Sequence, residues 1–191
     1  MTFTYALQTP ALSRLMDALG PSMRGQLLSA AARGVQRSTA RHIERLGRTR
    51  HRSAQALGAE PTGHYERAAA DVTAEVQGTL GVVTIPIAGF SRAFHDVTIR
   101  PRDKRALTIP IAAEAYGRTA VEMQSSGWTL FRPRGSRALF GSRPGVFGAL
   151  PLYALVSVVH QAQDRTLLPS DDELGAAAED GVRTYLREAM R

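Results

Sequence analysis

The sequence predicts an α+β fold. It has a long N-terminal amphipathic helix, a mainly antiparallel β-sheet with extended loops, and a C-terminal helix packed on the sheet. Three observations predict it. Apolar residues recur at helical spacing after Pro21, they alternate at strand spacing over Val72, Ala74 and Val76, and a capping box at Ser170 opens a final helical stretch. The chain of 191 residues is long enough for one domain with a real core, and residues 1–191 read as a single unit.

Gly20-Pro21-Ser22 marks a helix start, because proline is tolerated in a first turn. Leu28, Ala31, Ala32, Val35, Thr39, Ile43 and Leu46 then share one face, and Gly47 is a plausible stop, which gives a helix over roughly Pro21 to Leu46. A shorter helix is expected from Ala11 to Leu19. Arg48 to Pro61 reads as a polar loop, and a short helix follows through Ala70.

Val72, Ala74 and Val76 alternate with polar residues, Gly78 to Gly81 forms a turn, and Val82 to Ile87 is apolar and β-branched; together they read as a β-hairpin. Short strands are expected at Val97–Ile99, at Leu107–Ile109 (stopped by Pro110) and at Trp128–Phe131, and a short helix over Ala112–Val121. Leu152 to His160 reads as one strong strand with Leu152, Ala154, Val156 and Val158 on one face. Extended or mobile loops are expected near 89–105 and 132–148, the second being rich in Gly, Pro, Ser and Arg. Ser170-x-x-Glu173 begins a helix over Asp171 to about Met190, with Leu174, Ala177, Ala178, Val182, Tyr185 and Leu186 as its buried stripe. No internal repeat is evident.

Composition narrows the function classes. Hydrophobic residues at 43% and charged residues at 21% suit a folded globular chain. There is no cysteine, which excludes disulfides and thiolate metal sites. No stretch is long and apolar enough to span a bilayer, and Met1 to Pro10 lacks the pattern of a signal peptide, so no membrane partner is expected and assembly in the cytoplasm is. The net charge of +7 and pI near 10.7 suit an acidic partner. Lys104 is the one lysine, so arginine carries nearly all of that charge, as a GC-rich genome would also produce. The N-terminal third is basic and the C-terminal segment acidic, and such ends can meet between subunits head to tail or simply face water.

The residues offer no recognised chemistry. There is no phosphate-binding Gly-x-x-x-x-Gly-Lys loop and no Gly-x-Ser-x-Gly elbow, and His42, His51, His64, His95 and His160 form no metal-binding spacing. Asp171-Asp172-Glu173 resembles an acidic metal cluster, but the capping box accounts for the same residues. The expectation is therefore a non-enzymatic chain with no catalytic residue, cofactor or metal. The candidate contact residues are basic. Arg33, Arg37, Arg41 and Arg45 lie four apart and form one helical ridge, where like charges repel by a few tenths of a kcal/mol per pair unless a partner neutralises them. Arg100, Arg102, Lys104 and Arg105 lie in one loop, and Arg132, Arg134, Arg137 and Arg143 in another; both loops suit phosphates, acidic protein surfaces or water.

Three segments resemble small morphogenesis proteins of tailed phages and Mu-like prophages: "HIERLGRTRHRSAQALGAEPTGHYERAAA" from His42, "VTIRPRDKRALTIPIAAEAYGR" from Val97, and "LYALVSVVHQAQDRTLLPSDDEL" from Leu152. They cover about two fifths of the chain, and the middle one is the most specific. The resemblance implies an α+β virion protein of the head–tail joining, neck or tail-completion type. It implies a ring homo-oligomer, six-fold or a multiple, with portal or adaptor, tail-tube or tail-terminator proteins as partners and non-specific contact with packaged DNA. The Gly-Pro-Arg-rich stretch 132–148 departs most from that pattern. The alternative is a basic nucleic-acid-binding protein that uses the arginine ridge of the N-terminal helix.

Overall fold

The computed structural model describes residues 2–3 and 21–190, apart from residues 88 and 146. The helix expected from Ala11 to Leu19 lies outside the described residues. In chain order the elements are β1 (Thr2–Phe3), α1 (Pro21–Thr49), α2 (Arg52–Leu57), α3 (His64–Ala70), β2 (Thr73–Gln77), β3 (Leu80–Thr84), β4 (Val97–Ile99), β5 (Leu107–Pro110), α4 (Ala120–Ser125), β6 (Thr129–Phe131), β7 (Ala138–Ser142), β8 (Leu150–Val156), β9 (Val159–Gln161) and α5 (Asp171–Ala189). Every strand pair is antiparallel, in the sheets β1-β3-β2, β4-β9 and β5-β8-β7-β6. The α+β expectation holds. The single-unit expectation takes a different form, because the chain divides into two compact units. Residues 1–49, 64–95 and 163–191 form the first, and 50–63 and 96–162 the second.

In the first unit α1 is buried on two sides. The apolar stripe legible in the sequence faces the sheet, where Ala32 sits against Gly81 of β3. A second stripe, fully buried Leu27 with Ala30 and Gly34, receives α5. At the crossing, Gly34 approaches the carbonyl of Ala177 and Gly181 approaches the carbonyl of Ala30, so closely that a Cβ on either glycine would strike backbone. The two helices run antiparallel, since Tyr185 near the end of α5 donates its hydroxyl hydrogen bond to Gln26 near the start of α1. The C-terminal helix is thus packed chiefly on α1, and it reaches Val83 of β3 and Ile85 just after that strand through the shared core around Leu174.

The β2–β3 hairpin closes with Gln77 opposite Leu80, and Gly78 supplies the positive φ of 61° at the first central position of the two-residue loop. Gly47 does not end α1. The helix continues to Thr49 because Tyr65 and Glu66 of α3 crowd onto Gly47, where a Cβ would come within 2.9 Å of the Glu66 Oε1. Packing there outweighs the roughly 1 kcal/mol helix penalty of glycine. The expected loop Arg48–Pro61 contains α2, which ends at Gly58 with φ of 64°.

The second unit is built on the four-stranded sheet. Its core is Ala115, Met123, Trp128, Leu152 and Tyr153, and the Tyr153 hydroxyl donates to the Arg118 carbonyl at 2.9 Å. Burial raises the Tyr153 pKa, with the Glu122 charge adding to it. The expected loop 132–148 contains β7, which pairs on both sides, with β6 and β8. The expected loop 89–105 contains a 3-10 turn, Phe90–Ala93, with Phe90 buried, and β4. The single strand expected over Leu152–His160 is two, because residues 157–158 pass the chain from the sheet of β8 to the pair β4-β9. The helix expected over Ala112–Val121 breaks at Gly117, where φ is 72° and a Cβ would lie 2.6 Å from the Thr62 Cγ2. It restarts at Thr119 in a second capping box.

Both capping boxes close in both directions. Ser170 accepts from the Glu173 backbone N–H at 3.3 Å, and the Ser170 N–H donates to the Glu173 carboxylate at 2.8 Å. Hydrogen bonds from the Ser170 backbone and hydroxyl hold Glu173 below the ordinary carboxylate range, and Thr119 does the same for Glu122. A lowered folded-state pKa gives stability that is complete above the ordinary carboxylate pKa and is lost as pH falls through the folded value. Acid titration of the native chain should therefore fray the first turns of α5 and α4, seen as loss of amide protection at Glu173 and Glu122. At neutral pH Ser170→Ala should cost about 1 kcal/mol in denaturant unfolding, and an unchanged midpoint would contradict the cap.

Candidate interaction surfaces

The structure sorts the twelve basic candidates into three places. All twelve are exposed, and none closes an ion pair among the described residues. Arg33, Arg37, Arg41 and Arg45 do form one ridge on α1, and Arg33, Arg41 and Arg45 spend part of their hydrogen-bonding capacity on that helix. Arg33 donates to the Ser29 hydroxyl at 2.7 Å, Arg41 donates to the Arg37 carbonyl at 3.3 Å, and Arg45 Nη2 lies 3.4 Å from the His42 Nδ1. The C-terminal end of the ridge also has an answering charge within the unit. After its hydrogen bonds to Ser170, Glu173 is held low by His42 and Arg45.

The loop cations of the second unit are arranged differently from the sequence expectation. Register puts the start of β5 (Leu107), the end of β8 (Val156), the start of β7 (Ala138) and the end of β6 (Phe131) at one end of the sheet. Arg100, Arg102, Lys104 and Arg105 precede β5, and Arg132, Arg134 and Arg137 join β6 to β7, so two loops that are distant in sequence share that end. Arg143 is not with them. It follows β7 at the opposite end, where its guanidinium lies 4.9 Å from the Trp128 ring centroid in a cation–π contact. An open cleft of about 440 Å³ there is also lined by Glu60, Glu114, Tyr116 and Arg118.

In the first unit an open cleft of about 730 Å³ is lined by His42, Arg165, Ser170, Asp171 and Glu173 among others. The His42 Nε2 lies 3.1 Å from the Thr166 carbonyl, and Ser170 and Glu173 are engaged in the cap of α5, so these three residues serve local structure. Among the described residues no three His, Cys, Asp or Glu side chains converge as a metal site, and no helix is long and apolar enough to cross a membrane. His64 stacks on Phe90 with centroids 6.1 Å apart, and its pKa is lowered by burial and by Arg67, against a smaller opposing effect of Glu66.

Sequence reading missed the Arg92–Asp164 ion pair at 3.2 Å, whose partners lie 72 residues apart. It also missed the second capping box, although Thr119-x-x-Glu122 carries the same signal as Ser170-x-x-Glu173. Compared with known proteins, the chain matches no family model, no curated protein and no solved structure.

Proposed function

We propose that the chain is a structural virion protein of a tailed phage or prophage: a neck or tail-completion subunit that joins head to tail as one copy in a ring, six-fold or a multiple. The observation that carries this reading is that all twelve candidate basic side chains are exposed and none closes an ion pair among the described residues, and they are distributed over both compact units. Charge left unpaired within a chain is free to set register and orientation against a neighbour. The resemblance of three segments to phage morphogenesis proteins supports the same reading. The most specific of them, from Val97 to Arg118, builds β4 and β5 and carries four of the basic candidates between them.

In this role the two basic surfaces meet different neighbours. The ridge on α1 suits the carboxylate-bearing face of a second copy or of a portal, adaptor or tail protein. The acidic first half of α5 (Asp171, Asp172, Glu179 and Asp180) gives a second copy the matching sign. Deleting the gene from the phage or prophage is expected to leave separate heads and tails in the lysate, with infectivity restored by the chain supplied in trans. Normal joined and infectious particles from the deletion would refute the reading.

A further inference from the structure

The two basic loops at one end of the four-stranded sheet carry the same six-residue string. Arg100-Pro101-Arg102-Asp103-Lys104-Arg105 leads into β5, and Arg132-Pro133-Arg134-Gly135-Ser136-Arg137 leads into β7. Both read Arg-Pro-Arg-x-x-Arg, and both end one or two residues before a strand starts at the same end of the sheet. In the order β5-β8-β7 one strand separates them, which sets the two turns roughly 10 Å apart at the ordinary strand spacing. Together with residues 157–158, these connections hold seven cations and one carboxylate, Asp103.

The second turn is built in advance. The Ser136 N–H bonds to the Pro133 carbonyl at 3.0 Å, Gly135 takes a φ of 78°, and the Arg132 Nε donates to the Ser136 carbonyl at 2.8 Å. The Ser136 hydroxyl accepts from the Ala138 N–H at 3.0 Å. Proline fixes φ in both strings and disfavours a helical backbone at the arginine before it, which limits the conformations either turn can adopt.

We propose that these twin turns form a two-pronged clamp for the phosphate backbone of double-stranded DNA, read without base specificity. Two prongs about 10 Å apart approach the roughly 12 Å width of the major groove, so each can meet the phosphates of a different strand. Arginine forks suit phosphate oxygens, and a run of cations with one carboxylate matches a polymer that carries a charge every 1.7 Å or so along its axis. A protein partner fits less well, because the centre of a protein interface is depleted in charge and these two connections hold seven cations. The α1 ridge is the poorer candidate, because it is a single row on one helix face and Arg33, Arg41 and Arg45 already make contacts within that helix. The clamp stands apart from the virion reading and is tested on the purified chain.

The test is fluorescence anisotropy with a labelled random-sequence duplex across a salt series. Alongside the native chain it takes Arg102→Ala/Arg105→Ala/Arg134→Ala/Arg137→Ala and the ridge variant Arg33→Ala/Arg37→Ala/Arg41→Ala, with far-UV circular dichroism to check each fold. The native chain should bind with strong salt dependence. The turn variant should flatten the plot of log K against log salt by about 3 to 4, at about 0.9 per phosphate contact removed, and the ridge variant should leave the slope close to native. Polyglutamate of matched charge should compete poorly. Absent binding, an equal loss in the ridge variant, or polyglutamate displacing the duplex as well as unlabelled duplex does would each overturn the clamp, the last in favour of an acidic protein surface.

Discussion

Gly34→Val is expected to destabilise the first unit by roughly 3 kcal/mol, at the upper end of the usual cost of overpacking. Glycine in a helix interior is ordinarily a weakness, and replacing it should gain up to about 1 kcal/mol. Gly25, on the same helix, meets nothing within 4 Å of an added Cβ, so Gly25→Ala should show that gain. At Gly34 the added atom meets the Ala177 carbonyl, and backbone cannot rotate away as a side-chain tip can. Relief requires α1 and α5 to separate, which would withdraw Leu27, Leu174, Ala178 and Val182 from their shared core. Valine also retains little of the propensity gain, so the steric loss dominates. Denaturant unfolding followed by helical circular dichroism checks this, and a Gly34→Val midpoint equal to that of the native chain would show that the crossing is looser than described.

Leu152→Ala should cost the second unit about 2 to 5 kcal/mol. Leu152 is fully buried on the central strand β8, with β5 on one side and β7 on the other. Its Cδ1 and the Trp128 ring both press on the space beside Gly141, where a Cβ would lie 2.9 Å from the Trp128 Cε3. Truncation leaves a cavity that Gly141 has no side chain to fill. Trp128 is the chain's one tryptophan and belongs to this core, so intrinsic fluorescence reports on this unit. The Leu152→Ala fluorescence transition should move to lower denaturant, and a shift of under about 1 kcal/mol would mean that the sheet collapses onto the gap.

Local signals in the sequence were sufficient for several elements. The Ser170 capping box, the Gly78 hairpin and the sheet-facing stripe of α1 depend on residues within a few positions of one another, and each lies where expected. Elements that depend on distant partners were not legible. The strand β7 sits in a Gly-, Pro- and Arg-rich stretch whose composition reads as loop, and Ala138, Leu139 and Phe140 become a strand because β6 and β8 flank them. Apart from Leu27, the second stripe of α1 consists of the small residues Ala30 and Gly34, which carry little hydrophobic signal and matter because α5 approaches them.

The candidate surface was legible as residue types and not as arrangement. The arginine ridge follows from spacing alone, and it is present. The gathering of Arg100–Arg105 with Arg132–Arg137, and the separation of Arg143 from them, follow from strand register, which no local pattern of this chain encodes. The answering charge on Glu173 likewise depends on the antiparallel packing of α1 and α5, whose residues are more than a hundred positions apart in sequence.

The most direct test of the proposed role is to locate the chain on the particle. Purified virions carrying an epitope on this chain, imaged by electron microscopy with a gold-labelled antibody, should show label at the junction of head and tail. Particles that are complete and infectious yet carry no label, with the tagged chain left behind in the soluble fraction, would contradict a structural place in the virion.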